Sequence, residues 1–568
     1  MTMNAAVELQ TSTSESQRMR LGSYFLVAGL ISPDQLEMAL QKQKISDERL
    51  GELLLRLGLV SEFDLARMLA RQADIPFRDI DELDSPAPAV LRRFNQQFCL
   101  NKAFLPVAVE TDVMLVAIGN ADHHDVEQAV RSRTGMRCHI VQCEFSKLLQ
   151  AIRQHYYFAD HPVSDLLQLE IRRLSRDKEQ VLLADKLIDH VLHLAVKQST
   201  SDIHIQPEER SIHISFRIDG VLHPIVALPS SLRRLITTIK MQAGMDISDS
   251  LRPQDGSFSV SILETAYDIR VSSVVTEYGE NLVLRLLPSG MQVKGLNQLG
   301  FYDTDLDLVN QLFASPHGIL LMTGPTGSGK STTLHAGLRG IGMQGKNIVT
   351  VEDPIEYKLP VIRQTEVNRK AGYQFDTAIR HFLRHDPDVM LVGEIRDAET
   401  AKAAITAAET GHLVLSTLHV NNFLGVVPRL QALGVGADMI ANSLIGVINQ
   451  RLARRICPAC KEAYTPDDSE RSIFGEQIVD QLYRGRGCDQ CLDTGFSGRV
   501  AIYEVVRISE TMAQHIAAGV RRAELAGLLR QEGAISMVRV GLRRVIEGDT
   551  TLDELRRLLG STLLRDAA

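Results

Sequence analysis

Short, uninterrupted apolar runs recur through the second half of the chain. They span residues 318–323, 347–353, 389–394 and 413–419, and each of the last three ends in an acidic or histidine side chain. Strands buried on both faces of a parallel sheet have this continuous apolar pattern. The spacing therefore predicts an α/β domain in which polar strand ends line one edge of an open sheet.

The first half of the chain has other patterns. Residues 212–218 alternate apolar and polar side chains, and residues 113–118 form a short apolar run, so both segments predict strands. Residues 156–180 are charged and helical in spacing without a clear apolar face, which predicts an exposed linker helix. Residues after Val500 predict helices that complete the α/β domain.

A repeated motif follows the polar N-terminal tail. Each of its two copies begins with Arg-Leu-Gly and ends with a glutamine: Arg20, Leu21, Gly22 and Gln43, then Arg49, Leu50, Gly51 and Gln72. Each copy predicts a helix, a glycine turn and a second helix. A guanidinium binds phosphate and an amide binds a base edge, so the repeat indicates a nucleotide ligand. The alternative is a purely structural helical repeat.

A phosphate-binding loop follows the first apolar run. The nine residues predicted to hold nucleotide are Gly324, Pro325, Thr326, Gly327, Ser328, Gly329, Lys330, Ser331 and Thr332. The Walker A pattern lies between a predicted strand and a predicted helix, the context in which loop N–H groups surround the β-phosphate. Lys330 would reach the β/γ oxygens, and Ser331 would bind Mg²⁺. The alternative is a chance glycine-rich turn.

Acidic and histidine side chains stand at the ends of the other three runs. Glu352 and Glu394 end two of them, and His412 and His419 flank the third. A carboxylate at such a strand tip can hold Mg²⁺, as in a Walker B element. Each acid could instead cap a strand end, and each histidine could be an ordinary hydrogen-bonding side chain.

Two arginines interrupt apolar strand-like stretches. Arg270 and Arg285 each need an anionic partner in such a setting. One interpretation is a local salt bridge with Asp268 or Glu280. The other is an arginine pair that reaches the phosphates of the nucleotide.

Four of the seven cysteines form two CxxC pairs. They are Cys457, Cys460, Cys488 and Cys491. Four thiolates complete a tetrahedral Zn²⁺ site with no position left for water, so the expected metal is structural. Redox-active or metal-free pairs are the alternative. The remaining thiols, Cys99, Cys138 and Cys143, are expected to be buried.

Composition narrows the function classes. The net charge of the 568 residues is −8 and basic residues are scattered, which argues against a nucleic-acid partner. No apolar run approaches the roughly 20 residues of a membrane-spanning helix, and residues 1–20 are polar. We expect the chain to stay in the cytoplasm and to reach a membrane only by docking on a membrane protein.

The motifs resemble the secretion-superfamily ATPases of type II secretion and type IV pilus assembly: GPTGSGKSTTL, VEDPIEY, DPDVMLVGEIRD and TGHLVLSTLH. The roles that this resemblance implies are the general base for Glu352, the Walker B acid for Glu394, the His-box pair for His412 and His419, and arginine fingers for Arg270 and Arg285. It also implies Mg²⁺ with ATP, a homohexamer and an inner-membrane platform protein. The N-terminal repeat resembles the cyclic di-GMP-binding domain of MSHA-pilus-type ATPases.

The chain departs from the family pattern at three places. His335 stands where tyrosine is usual, Gln206 where glutamate is usual, and Val-Asn-Asn at 420–422 where Thr-Asn-Asp is usual. None of these positions holds a phosphate or metal in the family pattern. We therefore expect altered fine tuning with hydrolysis retained.

The predicted fold is multidomain α/β. It consists of a tail (1–19), an N-terminal α-rich domain (20–155) with motifs at 20–43 and 49–72, a linker (156–180), a small PAS-like α+β domain (181–290), and a RecA-like P-loop ATPase domain (291–568) with a zinc insert at 457–500.

The predicted function is an ATPase that powers MSHA-like pilus assembly under cyclic di-GMP control. A type II secretion ATPase is the close alternative. A cyclic di-GMP receptor with a decayed ATPase and a nucleic-acid-translocating motor are the alternatives from other classes, and a pilus retraction ATPase is disfavoured.

Overall fold

The computed structural model describes residues 19–119, 122–176, 184–288, 293–342, 345–359, 362–475 and 477–560. The predicted tail lies outside these residues except for Met19. The chain divides into two compact units, Met1–Arg153 and Gln154–Ala568.

The first unit contains paired helices followed by a small mixed sheet. Its helices are α1 (Leu21–Val27), α2 (Pro33–Gln43), α3 (Leu50–Arg56), α4 (Glu62–Ala73), α5 (Pro88–Leu91), α6 (Gln96–Lys102), α7 (His123–Thr134) and α8 (Phe145–Asp160), the last of which continues past the unit boundary. Its strands are β1 (Phe104–Glu110), β2 (Val113–Ile118) and β3 (Arg137–Gln142). β1 and β2 are antiparallel, and β2 and β3 are parallel.

The second unit begins with an α+β domain. Its helices are α9 (Val163–Arg176), α10 (Ala184–Lys197) and α11 (Arg234–Gln242), and its strands are β4 (Asp202–Pro207), β5 (Ser211–Ile218), β6 (Val221–Pro229), β7 (Gln254–Ile262), β8 (Thr265–Thr276) and β9 (Gly279–Pro288). The strands form one antiparallel sheet in the order β6-β5-β4-β9-β8-β7.

The α/β core follows in the same unit. Its elements are α12 (Asp303–Phe313), β10 (Gly318–Thr323), α13 (Lys330–Gly342), β11 (Ile348–Glu352), β12 (Arg363–Glu366), α14 (Phe375–Phe382), β13 (Val389–Val392), α15 (Ala398–Glu409), β14 (Leu413–Leu418), α16 (Val426–Ala432), α17 (Ala437–Ser443), β15 (Leu444–Ile456), β16 (Lys461–Tyr464), α18 (Asp468–Arg471), β17 (Leu482–Gly485), β18 (Phe496–Arg507), α19 (Glu510–Ala517), α20 (Arg522–Gln531), α21 (Met537–Ile546) and α22 (Leu552–Leu559).

Seven strands of this core form one sheet in the order β12-β11-β13-β14-β10-β15-β18. All pairings are parallel except that of β15 with β18. Both faces of the sheet are buried: Leu320 and Met322 of β10 pack into one apolar cluster, and Ile319 and Leu321 pack into the other. Burial on both sides explains why the central strands β10 and β13 are apolar almost throughout.

A buried carboxylate fixes the last helix to the core sheet. Glu554 of α22 has a fully buried side chain, and it accepts hydrogen bonds from Arg454 of β15 and from Arg557. Burial of the carboxyl opposes ionisation, but the hydrogen bonds from Arg557 and Arg454 outweigh it and lower the pKa of Glu554.

The predicted exposed linker is wrong for α9. Val163, Leu167, Ile171 and Leu174 are buried in the core of the α+β domain. These positions recur at helical spacing, so α9 has an apolar face that its charged neighbours conceal in the sequence.

Two further expectations need correction. Val500 lies inside β18, so the helical C-terminal segment starts only after that strand. Cys99 and Cys143 are buried as expected, whereas Cys138 is only half-buried.

Among the helices of the described residues, none is both long and apolar enough to cross a membrane.

Candidate active site

The phosphate-binding loop lies between β10 and α13, as predicted. Gly324, Gly327 and Gly329 all have positive φ values, of 132°, 76° and 87°, which L-residues rarely adopt. Nζ of Lys330 donates to the loop's own carbonyls, at 2.9 Å from Gly324 O and 3.0 Å from Pro325 O. Burial lowers the pKa of Lys330, with the carboxylates of Glu394 and Glu356 acting in the opposite direction. Two backbone carbonyls of the loop therefore hold the lysine side chain inside it.

Gln450 of β15 supports this loop from behind, a role that sequence reasoning missed. Its Nε2 donates to Ser328 O at 2.9 Å, and its Oε1 accepts from Thr333 Oγ1 at 2.8 Å. A Cβ at Gly324 or Gly329 would come within 2.3 Å or 2.7 Å of Gln450 atoms. Gly324 and Gly329 are therefore required by close packing as well as by torsion, whereas Gly327 is favoured by torsion alone.

Glu352 ends β11 and is buried, with 4% of its surface exposed. Its Oε1 accepts from Thr350 Oγ1 at 2.7 Å and from Gln364 Nε2 at 3.0 Å, and its Oε2 lies 2.9 Å from His335 Nε2. Burial opposes ionisation, but these hydrogen bonds, with that of His335 the largest, lower the pKa of Glu352.

His335 is a second residue that sequence reasoning did not place in the site. Its Nδ1 lies 2.7 Å from Ser331 O, which can only accept, and its Nε2 faces the Glu352 carboxylate. Burial favours the neutral imidazole, yet the hydrogen bond and charge of Glu352 raise the pKa of His335. Nδ1 therefore faces a backbone carbonyl and Nε2 faces a carboxylate, so the protonated imidazole would donate one hydrogen bond to Ser331 and one to Glu352.

Glu394 follows β13, two strands from the P-loop strand in the sheet order. Its Oε2 lies 2.6 Å from Arg396 Nε and 3.5 Å from His419 Nε2. The carboxylate of Glu394 and the hydroxyl of Ser331 are oxygen donors of the kind that Mg²⁺ prefers, so this donor set fits the metal. Arg396 was not predicted, and it now occupies one carboxylate oxygen.

Parallel strands explain why these side chains share one edge. Glu352 is the last residue of β11, and Lys330, Glu394 and His419 follow the carboxyl ends of β10, β13 and β14, which together with β11 are adjacent in the sheet. His412 does not share this edge. It precedes β14, so a strand of about 20 Å separates it from His419, and its Nδ1 lies 3.0 Å from Ala407 O.

The predicted arginine pair lies on the sheet of the α+β domain. Arg270 and Arg285 are direct neighbours on β8 and β9. Nε of Arg285 lies 2.8 Å from Oδ1 of Asp202, whose side chain is buried, while the arginine side chain is 60% exposed. Nε of Arg217 lies 3.8 Å from the second oxygen of the same carboxylate.

The two local partners considered for this pair have other contacts. Asp268 accepts from Ser259 Oγ at 2.7 Å, and Glu280 pairs with buried Lys240 at 2.7 Å. Among the hydrogen bonds and ion pairs found in the described residues, none joins Arg270 or Arg285 to the phosphate-binding loop. Within one chain, the structure therefore does not complete the predicted arginine contacts.

The four cysteines of the CxxC pairs come together. Their sulfur atoms all lie within 4.8 Å of one another, with Cys457 to Cys488 at 3.9 Å and Cys460 to Cys491 at 3.8 Å. Tetrahedral zinc with Zn–S bonds of about 2.3 Å separates its sulfurs by about 3.8 Å, so the donor set and spacing fit Zn²⁺.

The N-terminal repeat has the same local geometry in both copies. Arg20 and Arg49 immediately precede α1 and α3 with φ, ψ of −68°, 147° and −69°, 146°. A Cβ at Gly22 would come within 2.9 Å of Leu36, and one at Gly51 within 2.8 Å of the equivalent Leu65. Each glycine therefore allows its two helices to pack closely.

Each glutamine of the repeat makes a hydrogen bond beside the arginine of the other copy. Gln43 donates to the carbonyl of Glu48, just before Arg49, at 3.1 Å. Gln72 donates to the carbonyl of Met19, just before Arg20, at 3.3 Å. Each half of the candidate site therefore combines the arginine of one copy with the glutamine of the other, which the sequence could not reveal.

Most of the chain matches one of two known family models. Residues 177–557 match the family model described as "Type II/IV secretion system protein", and residues 73–162 match the "MshEN domain". The second match begins directly after Gln72, at the end of the tandem repeat.

Individual relatives agree with the family matches. The chain is 34% identical to the type IV pilus assembly ATPase PilB of Myxococcus xanthus, over 94% of this chain and 98% of that protein. It is 43% identical to the putative type II secretion system protein E of Escherichia coli (strain K12), over 67% of this chain and 78% of that protein. The X-ray structure of the ATPase DotB of Yersinia pseudotuberculosis shares the fold, with a TM-score of 0.51 and 20% identity, over 66% of this chain and 93% of that one.

Proposed function

The chain belongs to the type II/IV secretion system protein family, whose members include ATPases of type IV pilus assembly, and from this premise we propose that it hydrolyses ATP to power assembly of an MSHA-like type IV pilus. The observation that supports the proposal most is the shared edge of Lys330, Glu352, Glu394 and His419 beside the phosphate-binding loop.

Nucleotide binding follows from the loop geometry. The N–H groups of residues 326–329 and the N-terminus of α13 would surround the β-phosphate, and Lys330 would exchange its loop carbonyls for phosphate oxygens. Ser331 and Glu394 would hold Mg²⁺, which neutralises charge on the β- and γ-phosphates. Glu394 would then leave Arg396.

Hydrolysis requires a proton acceptor and positive charge at the γ-phosphate. Glu352 would accept the proton of the attacking water, and His419 would lie near the γ-phosphate. Arg270 and Arg285 would neutralise the charge that develops in the transition state. Because these arginines do not reach the loop in the described chain, closure of the α+β domain or a neighbouring subunit must bring them in. A homohexamer would supply the neighbouring subunit. The hexamer would dock on an inner-membrane platform protein at the cytoplasmic face.

The N-terminal repeat would bind cyclic di-GMP. Arg20, Leu21 and Gly22 with Gln72 form one half of the site, and Arg49, Leu50 and Gly51 with Gln43 form the other. A ligand of two identical nucleotide halves matches two identical half-sites. Binding can bias the motor only if the ligand prefers one of its conformations.

The proposed domain organisation is a PAS-like domain followed by a RecA-like core, which carries a zinc insert at residues 457–500. The four thiolates would hold Zn²⁺ as a structural metal that fixes β16 and β17 beside the core sheet.

Phosphate release by the purified full-length chain tests the proposal. We expect turnover that requires Mg²⁺ and disappears in Lys330→Ala while the fold is retained by circular dichroism. Turnover that persists in Lys330→Ala would contradict the assigned site. Absence of turnover in the wild-type chain, with cyclic di-GMP still bound, would instead favour a regulatory scaffold.

Type II secretion is the second candidate. The higher identity to type II secretion relatives, 43% over the aligned residues, supports it. The near-complete alignment with a pilus assembly ATPase supports the pilus assignment. Deleting the gene and scoring surface pili against secreted enzymes separates the two.

A further inference from the structure

The strongest unassigned arrangement in the core joins the P-loop helix to the candidate general base. His335 lies on α13, one helical turn after Ser331, and its exposed surface is 2%. Glu352 lies at the end of β11. The side chains meet through a 2.9 Å contact between His335 Nε2 and Glu352 Oε2.

The two oxygens of Glu352 are held by different elements. Oε1 accepts from Thr350 of the same strand and from Gln364 of β12. Oε2 has His335 as its partner among the described residues. Of the three donors, only His335 belongs to the helix that begins in the phosphate-binding loop.

The histidine ring is itself fixed in orientation. Its Nδ1 donates to Ser331 O at 2.7 Å, the carbonyl one turn earlier in α13. The ring of Tyr357 packs beside it, with centroids 5.3 Å apart, and the Tyr357 hydroxyl lies 3.3 Å from Thr332 Oγ1. Because the backbone of the loop helix orients the ring, a displacement of that helix would move the Glu352 carboxylate as well.

We propose that His335 is a positioning residue that aims the Glu352 carboxylate through the P-loop helix and so couples occupancy of the loop to the general base. The proposal rests on the proposed function, because it needs Glu352 to act in hydrolysis. His335 touches neither phosphate nor water in this role. It fixes the carboxylate oxygen that faces the helix.

Two substitutions of similar volume separate hydrogen bonding from packing. His335→Leu fills the space but donates no hydrogen bond, whereas His335→Gln retains an N–H donor for Glu352. We expect His335→Leu to lower kcat by at least about tenfold and His335→Gln by no more than about threefold. KM for Mg·ATP and the affinity for a fluorescent ATP analogue should stay within about twofold in both variants, because neither change touches the phosphate ligands.

A matched histidine supplies the control. His515 of α19 makes the same bond to the carbonyl one turn earlier, with Nδ1 at 2.8 Å from Thr511 O, and none of the ion pairs found among the described residues involves it. His515→Leu should leave kcat unchanged. All variants are compared in the full-length chain after their thermal unfolding midpoints show that they are folded.

Glu352→Gln separates failure of this proposal from failure of the proposed function. If Glu352→Gln abolishes turnover and His335→Leu keeps the wild-type kcat, the positioning role is refuted while the proposed base stands. If Glu352→Gln keeps full turnover, the assignment of the base is wrong and the positioning role falls with it. Equal losses in His335→Leu and His335→Gln would show that ring packing alone matters and would also refute the proposal.

Discussion

Substituting Gln450 by leucine tests whether the phosphate-binding loop is held in shape by the neighbouring strand. Only 3% of the surface of Gln450 is exposed. Leucine of similar volume would remove its bonds to Ser328 O and Thr333 Oγ1. Each buried polar group left unpaired costs about 1–3 kcal/mol. The Thr333 hydroxyl can turn to a carbonyl of its own helix, which leaves Ser328 O unpaired, so the loss of stability should be about 1–3 kcal/mol.

The loss should also weaken nucleotide binding. Ser328 lies within the loop whose N–H groups face the phosphates, so a loop freed at this residue must be reordered when nucleotide binds. We expect the affinity for a fluorescent ATP analogue with Mg²⁺ to fall about tenfold, which corresponds to about 1.4 kcal/mol. Titration of the analogue into the full-length chain measures this change directly.

A second glutamine with comparable bonds serves as the control. Gln254 of the α+β domain donates to Asp246 O at 2.9 Å and to Asp249 O at 2.7 Å, and it accepts from Asp246 N at 2.8 Å. Gln254→Leu should lower the thermal stability but leave analogue affinity unchanged. Equal affinity of Gln450→Leu and the wild-type chain would refute the view that Gln450 shapes the loop.

Three further predictions concern other parts of the chain. Purified protein should contain one zinc ion per chain by elemental analysis, and Cys460→Ser should lose it; a fully metal-free wild-type protein purified without chelator would contradict this. Glu554→Gln should lower the free energy of unfolding by about 3 kcal/mol at pH 7. Because the folded pKa of Glu554 lies below its unfolded value, this contribution is present above about pH 4.3 and is lost as pH falls through the folded pKa; a difference between variant and wild type that stays constant down to pH 2 would contradict it. Gly22→Ala and Gly51→Ala should each weaken cyclic di-GMP binding by calorimetry, since each Cβ would strike a leucine of the paired helix; unchanged affinity in both would contradict the site.

The sheet and its polar edge could be predicted because both follow from local sequence. Continuous apolar runs mark strands covered on both faces, and β10 and β14 occur where those runs predict them. The carboxyl ends of parallel strands share an edge, so the placement of Glu352 and Glu394 at the edge where the loop of Lys330 follows β10 required no knowledge of side-chain packing. The same rule explains why His412 lies apart from His419, because a residue ahead of β14 belongs to the opposite edge.

Partners fixed by tertiary packing could not be predicted in this way. Gln450 reaches the loop from a strand that is adjacent only in the folded sheet, and Asp202 meets Arg285 through the pairing of β4 with β9. The contact of Gln72 beside Arg20, like that of Gln43 beside Arg49, depends on how the helix pairs face each other. The apolar face of α9 is a different case. Its apolar residues recur at helical spacing in the sequence itself, but the charged residues between them make the pattern easy to overlook.

A structure of the full-length chain with Mg²⁺ and a non-hydrolysable ATP analogue tests the central claim most directly. The account predicts that the phosphates lie in the loop of residues 324–329 against Lys330, with Mg²⁺ between Ser331 and Glu394 and with Glu352 facing the γ-phosphate. Phosphates bound elsewhere, or a γ-phosphate that none of these carboxylates faces, would contradict it.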